Sequence, residues 1–114
     1  MSAITTHVLD TSCGRPASGV AVKLELESAD GSWRQIGQGS TDADGRARDL
    51  LPDGFSFTEG IYRLKFETRP YFAARGIETF YREVLIVFTV SDPAQHYHVP
   101  LLLNPFGYST YRGS

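Results

Sequence analysis

The fold is decided by the stretch VAVKLELE, residues 20–27. Apolar side chains at positions 20, 22, 24 and 26 alternate with small or charged side chains at the positions between them. Successive side chains of a β-strand point to opposite faces, so this pattern places the apolar ones on a single face. The stretch therefore predicts a half-buried β-strand.

Runs of the same kind recur along the chain. Residues 60–67 repeat the alternation, and residues 84–90 are apolar on both faces up to Thr89. A run that is apolar on both faces predicts a strand covered on both sides. Four less regular strands are predicted at residues 4–10, 33–40, 96–103 and 108–112.

Turn sequences separate these runs, at ADGS (29–32), DADG (42–45) and NPFG (104–107). The segment PYFAARG, residues 70–76, begins with Pro and ends with Gly, which is typical of one or two helical turns. Pro100 lacks the N–H group that a sheet uses, so it predicts an edge, a bulge or a position facing away from the neighbouring strand. About seven or eight strands and one short helix predict a single all-β domain over residues 1–114, built as a two-sheet β-sandwich.

The composition is that of an ordinary globular domain, with 41% hydrophobic residues. The formal net charge of −2 disfavours nucleic acid as a partner, because nucleic-acid-binding domains are usually basic. The sequence has no apolar run near the roughly 20 residues that span a bilayer, and residues 1–14 do not resemble a secretory signal. The single cysteine, Cys13, cannot form an internal disulfide. These features predict a cytoplasmic protein with no membrane partner.

The three histidines suggest two kinds of chemistry. His96 and His98 share one face of a predicted strand, and His7 as a third ligand would complete a zinc site with an open position for water. This pattern is weak, because any two alternate histidines in a strand satisfy it. In a metal-free alternative, a histidine deprotonates water while a guanidinium stabilises the oxyanion, and Arg46, directly after the turn at 42–45, is the candidate. The pattern is also compatible with ordinary exposed strand residues.

The segment PFGYSTYRGS, residues 105–114, is rich in aromatic side chains. The last residues of a domain are usually poorly ordered, so two tyrosines and an arginine in this segment predict a tail that is held in place. An ordered tail would bring Ser114 to a site through its hydroxyl or its carboxylate.

Five stretches of the sequence resemble 5-hydroxyisourate hydrolases, ring-opening enzymes of urate breakdown that are built on the transthyretin fold. The stretches are THVLD (6–10), DGR (44–46), GIYR (60–63), HYHVPLLL (96–103) and GYSTYRGS (107–114). The resemblance covers essentially the whole chain in the same order, and the final Tyr-Arg-Gly-Ser is its most specific part.

The resemblance implies a reaction, a set of site residues and an assembly. In the reaction, water adds to the C6 carbonyl of 5-hydroxyisourate and yields 2-oxo-4-hydroxy-4-carboxy-5-ureidoimidazoline, with no metal and no organic cofactor. The implied catalytic residues are His7, Arg46 and His98. The implied substrate-binding residues are Tyr111, Arg112, Gly113 and Ser114. Family members are homotetramers with sites where subunits meet, and His96 has no role in this scheme.

Two other functions share parts of the pattern. A transthyretin-like carrier of a hormone or another small ligand would have the same fold, but it would not need His7, Arg46, His98 and the Tyr-Arg-Gly-Ser tail together. An adhesive β-sandwich module would more often contain disulfides. The joint presence of the site residues favours the enzyme.

Overall fold

The computed structural model describes residues 3–114, so Met1 and Ser2 of the predicted domain lie outside the described residues. The elements in chain order are β1 (Ile4–Asp10), β2 (Arg15–Pro16), β3 (Ala21–Glu27), β4 (Trp33–Ser40), β5 (Arg46–Ala47), β6 (Gly60–Glu67), α1 (Thr68–Ala73), β7 (Val84–Val90), β8 (Tyr97–Asn104) and β9 (Gly107–Thr110). The predicted all-β fold with one short helix is confirmed, and the two shortest strands, β2 and β5, raise the strand count above the predicted seven or eight.

The strands form two sheets. One has the order β2-β1-β8-β9, with β5 also pairing with β1, and the other has the order β4-β3-β6-β7. Strands β1 and β8 run parallel, whereas the other paired strands of residues 3–114 are antiparallel. The parallel pair brings the first and the penultimate strand of the chain side by side in the middle of the first sheet.

The apolar faces of the two sheets form one core. The alternation predicted for residues 20–27 is confirmed, because Val22 and Leu24 of β3 are fully buried while their neighbours Ala21, Lys23 and Glu25 are partly exposed. The other sheet contributes Val8 of β1 and Leu101 of β8, which are fully buried in the same core. Burying such side chains stabilises the fold by about 1.5–3 kcal/mol each relative to exposure.

The prediction that residues 84–90 are covered on both sides is wrong for the single chain. Val84 and Ile86 are buried, but Leu85 is 40% exposed and Val87 is 56% exposed. The reason is that each sheet packs against the other with one face only, and within residues 3–114 the outer face of the sheet β4-β3-β6-β7 is not covered by another layer.

The helix is confirmed but begins earlier than predicted. It starts at Thr68, which makes Pro70 the third helical residue, and the turn after it ends at Gly76 with a positive φ of 71°. Proline is compatible with this place, because N–H groups in the first turn of a helix have no intrahelical acceptor. None of the helices formed by residues 3–114 has the length and apolar character needed to cross a membrane.

Pro100 lies inside β8, between β1 and β9, so it is not on an edge strand. The third predicted position is confirmed: its backbone faces away from the neighbouring strand β1. Its carbonyl accepts a hydrogen bond from Oγ1 of Thr110 at 2.6 Å, so its backbone polar groups face the β9 side. The β8–β9 ladder begins at Leu101, opposite Thr110, the last residue of β9. The N–H that proline lacks therefore falls where the ladder has ended.

Candidate functional site

Three strands bring the site residues to one face of the first sheet. Thr5 lies opposite His98 in the parallel β1–β8 pair, and His7 lies opposite Arg46 in the antiparallel β1–β5 pair. Because Thr5 and His7 are two residues apart in one strand, their side chains point the same way, and so do those of their partners. The sequence-predicted His7, Arg46 and His98 therefore lie together on this face.

A cavity of about 200 Å³ lies on this face. Its lining side chains are Thr5, Thr6, Arg46, Arg48, His96, His98 and Ser114. His7 does not line the cavity itself, although its cross-strand partner Arg46 does. The cavity thus collects two imidazoles and two guanidinium groups without a carboxylate side chain among its lining residues.

A hydrogen bond with Thr5 holds the ring of His98, because Oγ1 of Thr5 lies 2.8 Å from Nδ1 of the ring. Burial lowers the pKa of His98 below its ordinary value of 6.5. The positive charge of Arg46 lowers this pKa further, and so do His96 and His7. His98 is therefore neutral near pH 7 and able to accept a proton.

His7 is fixed by a backbone contact. Its Nε2 lies 2.9 Å from the carbonyl oxygen of Asp44, in the turn before Arg46. Because a carbonyl oxygen only accepts hydrogen bonds, Nε2 of His7 carries a hydrogen. The neutral ring then has its lone pair on Nδ1, and a second proton on His7 would have to sit there.

The turn predicted at residues 42–45 aims Arg46. Oδ1 of Asp42 accepts the backbone N–H groups of Asp44 at 2.9 Å and of Arg46 at 3.0 Å. Gly45 has a φ of +78°, and a Cβ there would lie 2.5 Å from the carbonyl oxygen of Val8, so only glycine suits this position. Within residues 3–114 the Arg46 guanidinium has no ion pair, whereas Arg48 is paired with Asp42 at 3.3 Å. Arg46 is thus placed to receive an anion.

The ordered tail meets His98 directly. The N–H of Gly113 donates to the carbonyl of His98 at 2.9 Å, and a Cβ on Gly113 would lie 2.6 Å from Cδ2 of the His98 ring. Glycine therefore lets the tail pass close enough for Ser114 to reach the cavity.

The other two predicted tail residues lie on the neighbouring side of His98. Tyr111 and Arg112 line a second cavity, of about 160 Å³, which shares His98 with the first. The Arg112 guanidinium lies 4.5 Å over the ring of Tyr97 and donates to Oε1 of Gln95 at 2.9 Å. In the single chain, Tyr111 and Arg112 therefore line one cavity and Ser114 the adjoining one, while Gly113 lines neither.

Sequence reasoning missed four of the seven lining residues: Thr6, for which the sequence held no signal, and three others, Thr5, His96 and Arg48. For Thr5 and His96 the sequence signal was the alternation of side chains along a strand, since Thr5 shares a strand face with His7, and His96 shares one with His98. Arg48 follows Arg46 at the same spacing. What sequence does not show is the β1–β8 register that brings these alternate positions around a common space.

The zinc hypothesis requires His7, His96 and His98 around one ion. Within residues 3–114, no three side chains of the types His, Cys, Asp and Glu are grouped so as to hold a metal ion. His7 is turned toward a backbone carbonyl instead, and Thr5 lies between His96 and His98.

Comparison with known proteins places this arrangement in context. The sequence matches the HIUase/Transthyretin family over residues 4–113. A 5-hydroxyisourate hydrolase of Caulobacter vibrioides is 47% identical, and the alignment covers 100% of both chains. The structure of Klebsiella pneumoniae 5-hydroxyisourate hydrolase superposes with a TM-score of 0.83 at 37% identity, covering 97% of this chain and 98% of that one. Sea bream transthyretin in complex with thyroxine gives a TM-score of 0.90 at 36% identity, covering 96% and 93%. Because a hydrolase and a thyroxine complex share the fold, the fold alone does not decide the function.

Proposed function

The chain belongs to the HIUase/Transthyretin family, and on that premise we propose that it is a 5-hydroxyisourate hydrolase of urate breakdown that opens the substrate ring without a metal ion. The activity is the one named for relatives that are 45–47% identical over 97–100% of this chain. The observation that carries the chemistry is a neutral imidazole, His98, in one cavity with the guanidinium of Arg46, which has no ion pair within residues 3–114.

In the proposed reaction, Nε2 of His98 takes a proton from water while the water oxygen bonds to the C6 carbonyl carbon. The carbonyl oxygen becomes an oxyanion, and Arg46 stabilises its charge. The ring C–N bond then breaks, and the leaving nitrogen receives a proton from one of the two histidines. This is the proton that His98 took from water: it would pass to Nδ1 of neutral His7, the ring nitrogen left free because the Nε2–H is held by Asp44, and from there to the leaving nitrogen. The product is 2-oxo-4-hydroxy-4-carboxy-5-ureidoimidazoline.

The tail and the second arginine bind the substrate in this scheme. Ser114 and Arg48 line the same cavity as Arg46 and His98. A guanidinium presents a planar fork of N–H donors, which suits a flat ring that carries several carbonyl oxygens. Tyr111 and Arg112 would contribute from the adjoining cavity, with Gly113 between the two as the close contact to His98.

The first experiment follows the ultraviolet absorbance of freshly prepared 5-hydroxyisourate with and without the protein. We expect decay far faster than the spontaneous rate, unchanged after treatment with a chelator. Decay at the spontaneous rate with a folded sample would contradict the hydrolase and favour the carrier, which binding of thyroxine would then test. Loss of rate after chelation would contradict the metal-free mechanism alone.

Gly113→Ala is expected to lower kcat by about 10²-fold, because a displacement of about 1 Å at a reacting group can have that effect. The added Cβ would lie 2.6 Å from Cδ2 of His98 and 3.1 Å from Cγ of Pro100, so the ring or the tail must move. The matched control is Gly107→Ala in β9, where the nearest atoms would be 3.8 Å away. Equal rates for the two variants would show that the tail does not hold His98.

The proposed assembly is a homotetramer with sites where subunits meet. Among the strands of residues 3–114, β7 and β9 each end a sheet with an unpaired edge, and such edges can pair with another chain. Large apolar side chains are exposed on or beside them: Leu85 and Val87 on β7, and Tyr108 and Tyr111 at β9. We also place the enzyme in the cytoplasm, where the exposed free thiol of Cys13 suits a reducing compartment.

Light scattering should give a mass about four times the 12.6 kDa of the chain. Val87→Glu puts a charge on the exposed apolar face of β7 and should lower that mass. Gln35→Glu adds the same charge on β4, at the opposite edge of the sheet, and should leave the mass unchanged. A wild-type chain that scatters as a monomer would contradict the tetramer and the placement of its sites between subunits.

A further inference from the structure

Thr5 contacts two histidines with one oxygen atom. Its Oγ1 lies 2.8 Å from Nδ1 of His98 and 2.9 Å from Nε2 of His96. Thr5 is only 6% exposed, and the rings of His96 and His98 are nearly parallel, with an interplanar angle of 18° and centroids 6.5 Å apart. The three side chains form a continuous hydrogen-bonded series from exposed His96 to half-buried His98.

A threonine hydroxyl has one hydrogen to donate, so it can serve one of the two rings as donor and must accept from the other. If Thr5 donates to His96, then Nδ1 of His98 carries a hydrogen and Nε2 keeps its lone pair. If Thr5 donates to His98, the hydrogen of that ring sits on Nε2. In the first arrangement, Nε2 of neutral His98 can accept a proton from the cavity. In the second, Nε2 donates a hydrogen bond into the cavity. Which arrangement forms depends on whether His96 accepts the hydrogen of Thr5.

Resting on the proposed function, we propose that Thr5 and His96 form a positioning pair that holds His98 with its hydrogen on Nδ1, so that Nε2 is free to take the proton of the attacking water. His96 accepts the Thr5 hydroxyl hydrogen at Nε2 and leaves its own N–H to solvent. When His98 takes the proton of water, the same Nδ1–H···Oγ1 hydrogen bond supports the resulting imidazolium. The charged and titratable groups around His98 include Arg46, Arg48, His7 and His96 on the side of the first cavity, and Tyr97, Tyr111 and Arg112 on the side of the second.

A double-mutant cycle separates this positioning role from direct contact of His96 with substrate. Thr5→Val removes the hydroxyl at nearly constant shape, and His96→Phe removes the ring nitrogens while keeping a flat ring. Each should lower kcat by about tenfold to a hundredfold with little change in KM, as loss of a supporting partner does elsewhere. If His96 acts through Thr5, the double variant should be no slower than the slower single variant. Additive losses, or a loss confined to KM, would overturn the proposal.

Rescue and stability controls use conservative variants. Thr5→Ser keeps the hydroxyl, and His96→Gln keeps an oxygen that can accept from it, so both should keep most of kcat. Thr68→Val changes another buried threonine, at the start of α1, and should leave kcat unchanged. Loss of kcat in Thr5→Ser to the level of Thr5→Val would overturn the role of the hydroxyl.

The deciding measurement is the ¹⁵N spectrum of the imidazoles without substrate. We expect neutral His98 to show a protonated Nδ1 and a bare Nε2 in the wild type, and a mixture of forms in Thr5→Val and His96→Phe. A protonated Nε2 in the wild type, or a His98 signal indifferent to His96→Phe, would overturn the positioning pair. Because this readout needs no turnover, it stands even if the protein failed to hydrolyse 5-hydroxyisourate.

Discussion

Replacing His98 with alanine is expected to lower kcat by about 10²- to 10⁴-fold, the usual contribution of a positioned acid–base group. The ring takes the proton of water in the proposed reaction, and alanine offers no acceptor at that place. Imidazole added to the buffer should restore part of the rate, because the variant leaves a ring-sized space beside Thr5 and Gly113. The thermal unfolding midpoint, measured in parallel, should show a folded chain.

The pH dependence of kcat/KM adds a second test of the same residue. Burial and the charge of Arg46 lower the pKa of His98 below 6.5. A base must be neutral to act, so activity should be complete at neutral pH and fall only as the pH drops through this lowered pKa. In His98→Ala that acid limb should disappear. A variant with wild-type kcat, or an acid limb that persists unchanged, would show that another group is the base.

Replacing Arg46 with methionine is expected to lower kcat by about 10²- to 10³-fold, as loss of one oxyanion-stabilising donor does in other hydrolases. Methionine keeps much of the length and removes the charge. The effect should fall on kcat more than on KM, because the oxyanion exists only in the transition state and the intermediate. Arg46 also lowers the pKa of His98, so its removal should move the acid limb of the pH profile to higher pH.

Arg48→Met is the matched comparison. Arg48 lines the same cavity but is exposed and paired with Asp42 at 3.3 Å. Its loss should raise KM more than it lowers kcat, because a group that contacts the ground state and the transition state alike contributes to binding alone. If the two variants exchanged these phenotypes, the oxyanion role would belong to Arg48 and the assignment made for Arg46 would be wrong.

The sequence predicted the parts of the fold that local periodicity controls. The strands at Gly60–Glu67 and Val84–Val90 begin and end where the alternation and the apolar run begin and end. Burial of both faces of β7 was mispredicted because the pattern of one strand does not show whether a further layer of structure lies over its outer face. The start of α1 was missed by two residues because proline is accepted throughout the first helical turn, not only at its first position.

The site was predictable only with the family resemblance in hand. His7, Arg46 and His98 are far apart in sequence, and it is the register of β1 with β5 and β8 that sets them side by side. Thr5 and His96 had no sequence signal beyond alternation, because a hydroxyl between two rings is a relation of distance and angle. Their contribution rests on the contacts of Oγ1 of Thr5, at 2.8 Å to His98 and 2.9 Å to His96.

The parallel pairing of β1 with β8 has a consequence for biosynthesis. Thr5 and His98 are 93 residues apart in the chain, so the ribosome must release nearly all of the domain before they can meet. Until β8 arrives, β1 lacks its central neighbour and exposes backbone donors and acceptors that favour aggregation. Closing so long a loop is also entropically costly and slow compared with hairpin formation. During synthesis, catalytic competence is therefore acquired at the end, and a ribosome that stalls before β8 produces a chain without a site.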